Sequence, residues 1–129
     1  MNKKHRFSGQ SLIEFMLIFP MAFLLLTGLL DLGRGIFYYS SLSNAVREAA
    51  RYTTTHKDLT DDEIKDKVLE YAFGLTNTSN PLEKEDIVIT YPEIVNDYKI
   101  TVSIAATYIF DPVTPGLNVF WGGEDGIPL

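Results

Sequence analysis

From Leu12 to Leu30 the chain runs through nineteen residues whose only strongly polar side chain is Glu14. As α-helix, at 1.5 Å per residue, such a run is about 28 Å long, close to the roughly 30 Å of a bilayer's hydrocarbon core. In lipid every backbone polar group must be satisfied within the segment, so a lone run of this kind is a helix. The preceding residues, MNKKHRFSG, are short and basic, and most of the charge lies beyond Asp31. That asymmetry predicts a single pass with the N-terminus in the cytoplasm and the remainder outside. An ordinary secretory signal does not fit. Its apolar region is roughly 7–15 residues long and ends at a small-x-small site, which Leu29, Leu30, Asp31 and Leu32 do not offer.

The helical pattern continues past the apolar run. Leu32, Ile36, Tyr39, Val46 and Ala50 recur near 3.6 residues, with Leu42, Ala45, Ala49 and Tyr52 on the flank. A helix from about Ser11 to Tyr52 is expected, stopped by Thr53, Thr54 and Thr55, whose β-branched side chains suit a helix poorly. A second, amphipathic helix is announced by its entry. Thr60 with Glu63 forms a capping box, Leu59 with Ile64 a hydrophobic staple, and Asp61 and Asp62 favour the positive end of the dipole. Its apolar stripe is Ile64, Val68, Tyr71 and Leu75, with Gly74 as C-cap. After a turn at Asn77–Pro81, two strands are expected. Ile87–Tyr91 should end at Pro92, and Tyr98–Phe110 alternates apolar and polar, the two joined through Glu93, Asn96 and Asp97. From Asp111 the tail holds three of the six prolines and four of the nine glycines and should be irregular, with Phe120 and Trp121 docking. The fold class is α+β: a long N-terminal helix packed against a second helix and a small antiparallel hairpin, which alone would be marginal in water. The expected divisions are a basic leader over 1–9, the helix over 10–54 with its transmembrane half at 12–30, and an extracytoplasmic domain over 55–129.

The net charge of −6 includes the leader; without residues 1–9 the chain has 8 basic against 17 acidic side chains. That balance argues against nucleic acid as a partner, because phosphate contacts need clustered Lys and Arg. The absence of cysteine excludes disulfides and thiolate chemistry. His5 and His56 have no spacing that pairs them with a nucleophile or a metal, and the acidic group Asp61, Asp62, Glu63 and Asp66 lacks the glycine and spacing of a calcium loop. No catalytic residue, metal site or cofactor is expected.

A carboxylate in a spanning helix costs on the order of 3 kcal/mol on insertion scales, so Glu14 is a candidate functional residue. It lies five residues after Gly9, which closes the basic stretch. This arrangement resembles the processing signal of type IV prepilins. The resemblance implies cleavage after Gly9, Gln10 as the new N-terminus and Glu14 as the fifth mature residue. Physically, the carboxylate can neutralise the α-amine created at Gln10, in its own chain or a neighbour, and so set the axial register between helices.

The longer stretch is similar to the TadE-like minor pilins of tight-adherence (Flp-type) pilus systems. Glu14 followed by an apolar run with Pro20 matches, as do Asp31, Gly33 and Arg34 after the run, and Ser43, Asn44, Ala45, Arg47, Glu48, Ala49, Ala50 and Arg51 near the end of the rod. The resemblance spans residues 8–52. It implies a non-catalytic subunit whose partners are a prepilin peptidase, other pilins, the assembly platform and the lipid bilayer. Pro20 would kink or loosen the helix, Gly28 permits close helix packing, and Asp31–Arg34 and Glu48–Arg51 are i, i+3 pairs worth about 0.2–0.5 kcal/mol when exposed. Two other readings remain: a signal-anchored binding module whose helix is a tether, and a pseudopilin of a secretion or DNA-uptake machine.

Overall fold

The computed structural model describes residues 9–56, 58–95, 98–117 and 126–129. Helix α1 spans Gln10–Thr55, 46 residues, so it is about 69 Å long. Pro20 lies inside it without interrupting it. Helix α2 spans Asp61–Tyr71. A 3-10 turn at Lys84–Asp86 leads into β1, Ile87–Val95, which pairs antiparallel with β2, Tyr98–Ala106. Two short strands, β3 at Ile109–Phe110 and β4 at Ile127–Pro128, pair antiparallel in a second ribbon. This is an α+β, pilin-like arrangement.

Three local outcomes differ from the sequence reading. Thr53, Thr54 and Thr55 do not stop α1; they extend it. Each hydroxyl donates to the carbonyl three residues back, Ala50, Arg51 and Tyr52, at 2.7, 2.7 and 2.9 Å. Such back-bonding occupies the hydroxyls inside the last turn, so these side chains do not compete with the helix for backbone groups further on. Strand β1 passes through Pro92 because the ladder is irregular there. Between the pairs Thr90↔Ser103 and Glu93↔Thr101, two β1 residues oppose one of β2, and a residue without an N–H fits such a bulge. Glu93 is therefore in the strand, while Asn96 and Asp97 of the expected turn lie outside the described residues. The alternating run from Tyr98 breaks after Ala106, and Ile109–Phe110 leaves the hairpin to pair with Ile127–Pro128. Tyr108 and Leu129 extend that ribbon through reciprocal backbone bonds of 3.3 and 2.8 Å. Phe120 and Trp121 also lie outside the described residues.

The entry of α2 follows its residues closely. The Thr60 N–H donates to Glu63 Oε2 at 2.8 Å, and the Glu63 N–H donates to the Thr60 hydroxyl at 3.4 Å. The backbone N–H and hydroxyl of Thr60 hold the Glu63 carboxyl below its ordinary value. The helix ends at Tyr71, so Leu75 packs from the following turn and not from the helix. Gly74, at φ +80°, sits in that turn with its Cα close under the Phe37 ring.

The core forms along the outer half of α1. Leu42, Ala45 and Ala49 are buried against Val68, Ala72, Leu75, Leu82, Ile87, Tyr108 and Phe110. The two alanines, four apart and fully buried, allow close packing on this face. Leu32, Ile36 and Tyr39, expected on the same apolar face, remain about 60% exposed. Burial follows the flank because α2 and the strands approach α1 there. Tyr91 donates from β1 to Asp61 at 2.6 Å, and Lys84 pairs with Asp66 at 2.6 Å, tying the hairpin and the 3-10 turn to α2.

Gly126 anchors β4 at φ +87°, where a Cβ would stand 2.6 Å from Ile109 Cγ2 and 3.0 Å from the Phe110 carbonyl oxygen. Gly126→Ala is expected to destabilise the folded domain by about 1–3 kcal/mol through strain and overpacking. Thr60→Ala should cost about 1 kcal/mol through loss of the cap. Urea midpoints followed by tyrosine fluorescence in detergent check both, and an unchanged midpoint for Gly126→Ala would refute the anchoring role.

Candidate functional site

The N-terminal part of the site is built on the first turn of α1. Gly9 occupies the N-cap position and offers no side-chain cap; its carbonyl accepts from the Ile13 N–H at 3.1 Å. One turn on, Glu14 accepts a hydrogen bond from the Gln10 carboxamide, Nε2 to Oε1, at 3.2 Å. Helical geometry thus already places the Gln10 and Glu14 side chains together, as residues four apart must be. Both are exposed.

From Leu12 to Leu26 every residue is exposed, and toward Leu30 only Thr27 and Gly28 are half-buried among the described residues. The large apolar side chains in this stretch, among them Leu17, Met21 and Leu25, are between 47% and 70% exposed. Among the described residues, α1 is the one helix long and apolar enough to cross a membrane. Pro20 sits in this bare stretch, and a Cβ added at Gly28 would meet nothing within 4 Å.

Intrachain packing begins abruptly at the next residue. Asp31 is 3% exposed, although it is a carboxylate on the first turn beyond the apolar run. Its Oδ1 accepts from the Val113 N–H at 3.1 Å and from Arg34 Nη1 at 3.1 Å, and its Oδ2 accepts from the Thr114 N–H at 2.6 Å. The expected Asp31–Arg34 pair is present, but the aspartate is not the exposed partner of a surface pair; it fastens a turn more than eighty residues away. The buried Thr114 hydroxyl lies by the same carboxylate, with no partner of good hydrogen-bond geometry among the described residues. Burial works against the charged carboxyl. The Thr114 side chain, the Thr114 and Val113 N–H groups and the Arg34 guanidinium outweigh it and hold Asp31 below the usual aspartate value.

Arg34 spreads over two rings, 5.3 Å from Phe110 and 5.8 Å from Tyr38. Tyr38 in turn meets Tyr108 and Phe110 edge-on at 5.5 and 5.8 Å. The sequence shows Asp31 and Arg34 but not Val113, Thr114 or Phe110 as their partners; the one available signal was an aspartate directly after an apolar run. At the far end of α1, Glu48 and Arg51 are 4.0 Å apart and exposed, and Arg47 is exposed beside them.

These features define a class: an α+β protein with one bare apolar helix, whose folded domain is built onto that helix's outer half. Residues 9–51 match the family model described as TadE-like protein, which is consistent with the tight-adherence pilus systems. The matched stretch holds the Gly9–Glu14 segment, the bare span, Asp31, Arg34 and the Arg47–Arg51 block, and it comprises the N-terminal third of the chain. No curated protein and no solved structure matches the chain.

Asp31→Asn keeps the shape but sets an amide N–H₂ against one of two N–H donors. It is expected to cost about 2–3 kcal/mol at neutral pH. Because the folded carboxyl is depressed, its stabilisation is fully present above the unfolded value of about 3.9 and is lost as pH falls through the folded value. The stability gap between wild type and Asp31→Asn, read by urea titration, should therefore be level from about pH 5 to 7 and close below about pH 4. A gap that stays constant into acid would show that the charge contributes nothing.

Proposed function

We propose that the chain is a minor pilin or pseudopilin of a tight-adherence pilus, a structural subunit and not a catalyst. The observation that carries this reading is the coincidence of two boundaries. The TadE-like match begins at Gly9, and the helix that starts there exposes an apolar surface that the described chain leaves uncovered. A prepilin peptidase at the cytoplasmic face would cut between Gly9 and Gln10. The folded domain would lie on the extracytoplasmic side, in keeping with the basic leader.

Cleavage releases an α-amine at Gln10, one helical turn from the Glu14 carboxylate. In an apolar setting each charge is costly alone and tolerable when paired. Within one chain the Gln10 carboxamide already occupies one oxygen of Glu14, which leaves the other for an amine of the same chain or of a neighbouring pilin. Arg47, Glu48 and Arg51, exposed at the distal end of the rod, provide polar contacts for other pilins or the assembly platform.

Intact mass and N-terminal sequencing of the protein extracted from its host membrane test the reading. The expected mature chain starts at Gln10, and Gly9→Leu is expected to retain the leader. Glu14→Ala should still be cut but fail to enter the pilus. A functional wild-type protein that keeps residues 1–9 would overturn the pilin reading in favour of an anchored binding module.

A further inference from the structure

A groove of about 710 Å³ runs along α1 at the level where the apolar span ends. On the helix side it is lined by Leu25, Leu29, Leu32 and Ile36, with Gly28 and Gly35 forming its floor. Facing them are Phe110, Leu117, Ile127 and Leu129, from the β3–β4 ribbon and the turn after it. The groove therefore begins among residues of the apolar span and continues beside the folded domain, its lining apolar except where Asp31 and Tyr39 border it.

Charge along this side of α1 points the same way. Between Leu12 and Tyr39 the charged residues are Glu14, Asp31 and Arg34. Asp31 is buried and bonded to two backbone N–H groups, and Arg34 is spent on Asp31 and two aromatic rings. Leu32, Ile36 and Tyr39 remain about 60% exposed beyond the nineteen-residue run. With residues 12–30 across the hydrocarbon core, the outer headgroup layer, about 5–7 Å thick, covers about the next four or five residues, Asp31 to Gly35, which is the level of the groove.

We infer that this groove is a lipid-binding site that holds the acyl chains of an outer-leaflet phospholipid against α1, so that the base of the folded domain is immersed in the membrane surface. The inference rests on the reading that residues 12–30 span a bilayer. Continuity selects lipid over a partner helix: the groove opens directly from Leu25, Gly28 and Leu29 of the apolar span, so acyl chains that already flank that span reach Phe110, Ile127 and Leu129 without a separate partner.

The test uses the full chain in vesicles of phosphatidylethanolamine and phosphatidylglycerol that carry two phospholipids, one with a photoreactive group on an acyl chain close to the headgroup and one with it near the chain end. Adducts are mapped by mass spectrometry. Adducts on Leu117, Ile127 and Leu129 as well as on residues 12–30 are expected. Gly28→Leu, which meets no neighbour at its Cβ, should reduce the former several-fold and spare those on residues 12–24. Adducts confined to residues 12–30 would overturn the lipid site while leaving the span intact, and would give the groove to a second copy or another helix. Ribbon adducts unchanged in Gly28→Leu would also overturn it. Absence of adducts throughout would overturn the span and the site together.

Discussion

The carboxylate of Asp31 joins the two halves of this protein. Below it, the residues of α1 are exposed except for the half-buried Thr27 and Gly28; at and above it, the helix becomes a wall of a packed domain. The bonds it accepts from Val113 and Thr114 close a loop of more than eighty residues. Through that turn they fix where the β3–β4 ribbon stands relative to the membrane exit. Arg34 completes the charge balance and brings Phe110 and Tyr38 together beneath its guanidinium. A carboxylate so close to lipid is tolerable because each oxygen has a donor and the cation beside it is itself partly covered by rings.

The remaining core depends on this placement. Ala45 and Ala49 allow α2 to approach α1, and Val68, Leu75 and Ile87, all fully buried, fill the space between helix, turn and hairpin. Full burial of such side chains contributes about 1.5–3 kcal/mol each. Polar links join the elements around this packing: Ser41 donates to the Phe73 carbonyl at 2.7 Å, and the hydroxyl of the buried Tyr108 meets Thr78 at 3.1 Å, tying the 76–80 bend to the ribbon.

Features governed by short spacings were readable from the residues. The apolar run, the Thr60–Glu63 capping box and, up to Ala106, the strand expected over Tyr98–Phe110 each follow from a period or an offset of three. Features that depend on distant chemistry were not. Nothing near Asp31 announces two backbone donors at Val113 and Thr114, and nothing near Ile109 announces Ile127 as its neighbour. Two local rules also met competing local chemistry. Propensity argued that three threonines would end α1, and their hydroxyls instead bond back to carbonyls of the preceding turn within the helix. Proline argued for the end of β1, and a bulge accommodated it. In the candidate site, the Gln10–Glu14 contact was legible because residues four apart share a helix face.

Because α1 runs unbroken from Gln10 to Thr55 and supplies part of the domain's own core, there is no joint between its bare half and the folded domain. Whatever tilts or lifts the bare half moves the folded half with it. A pull on the helix is therefore delivered to the outside as a rigid displacement, with no slack for a linker to absorb, and the orientation of the domain reports the orientation of the helix in its surroundings.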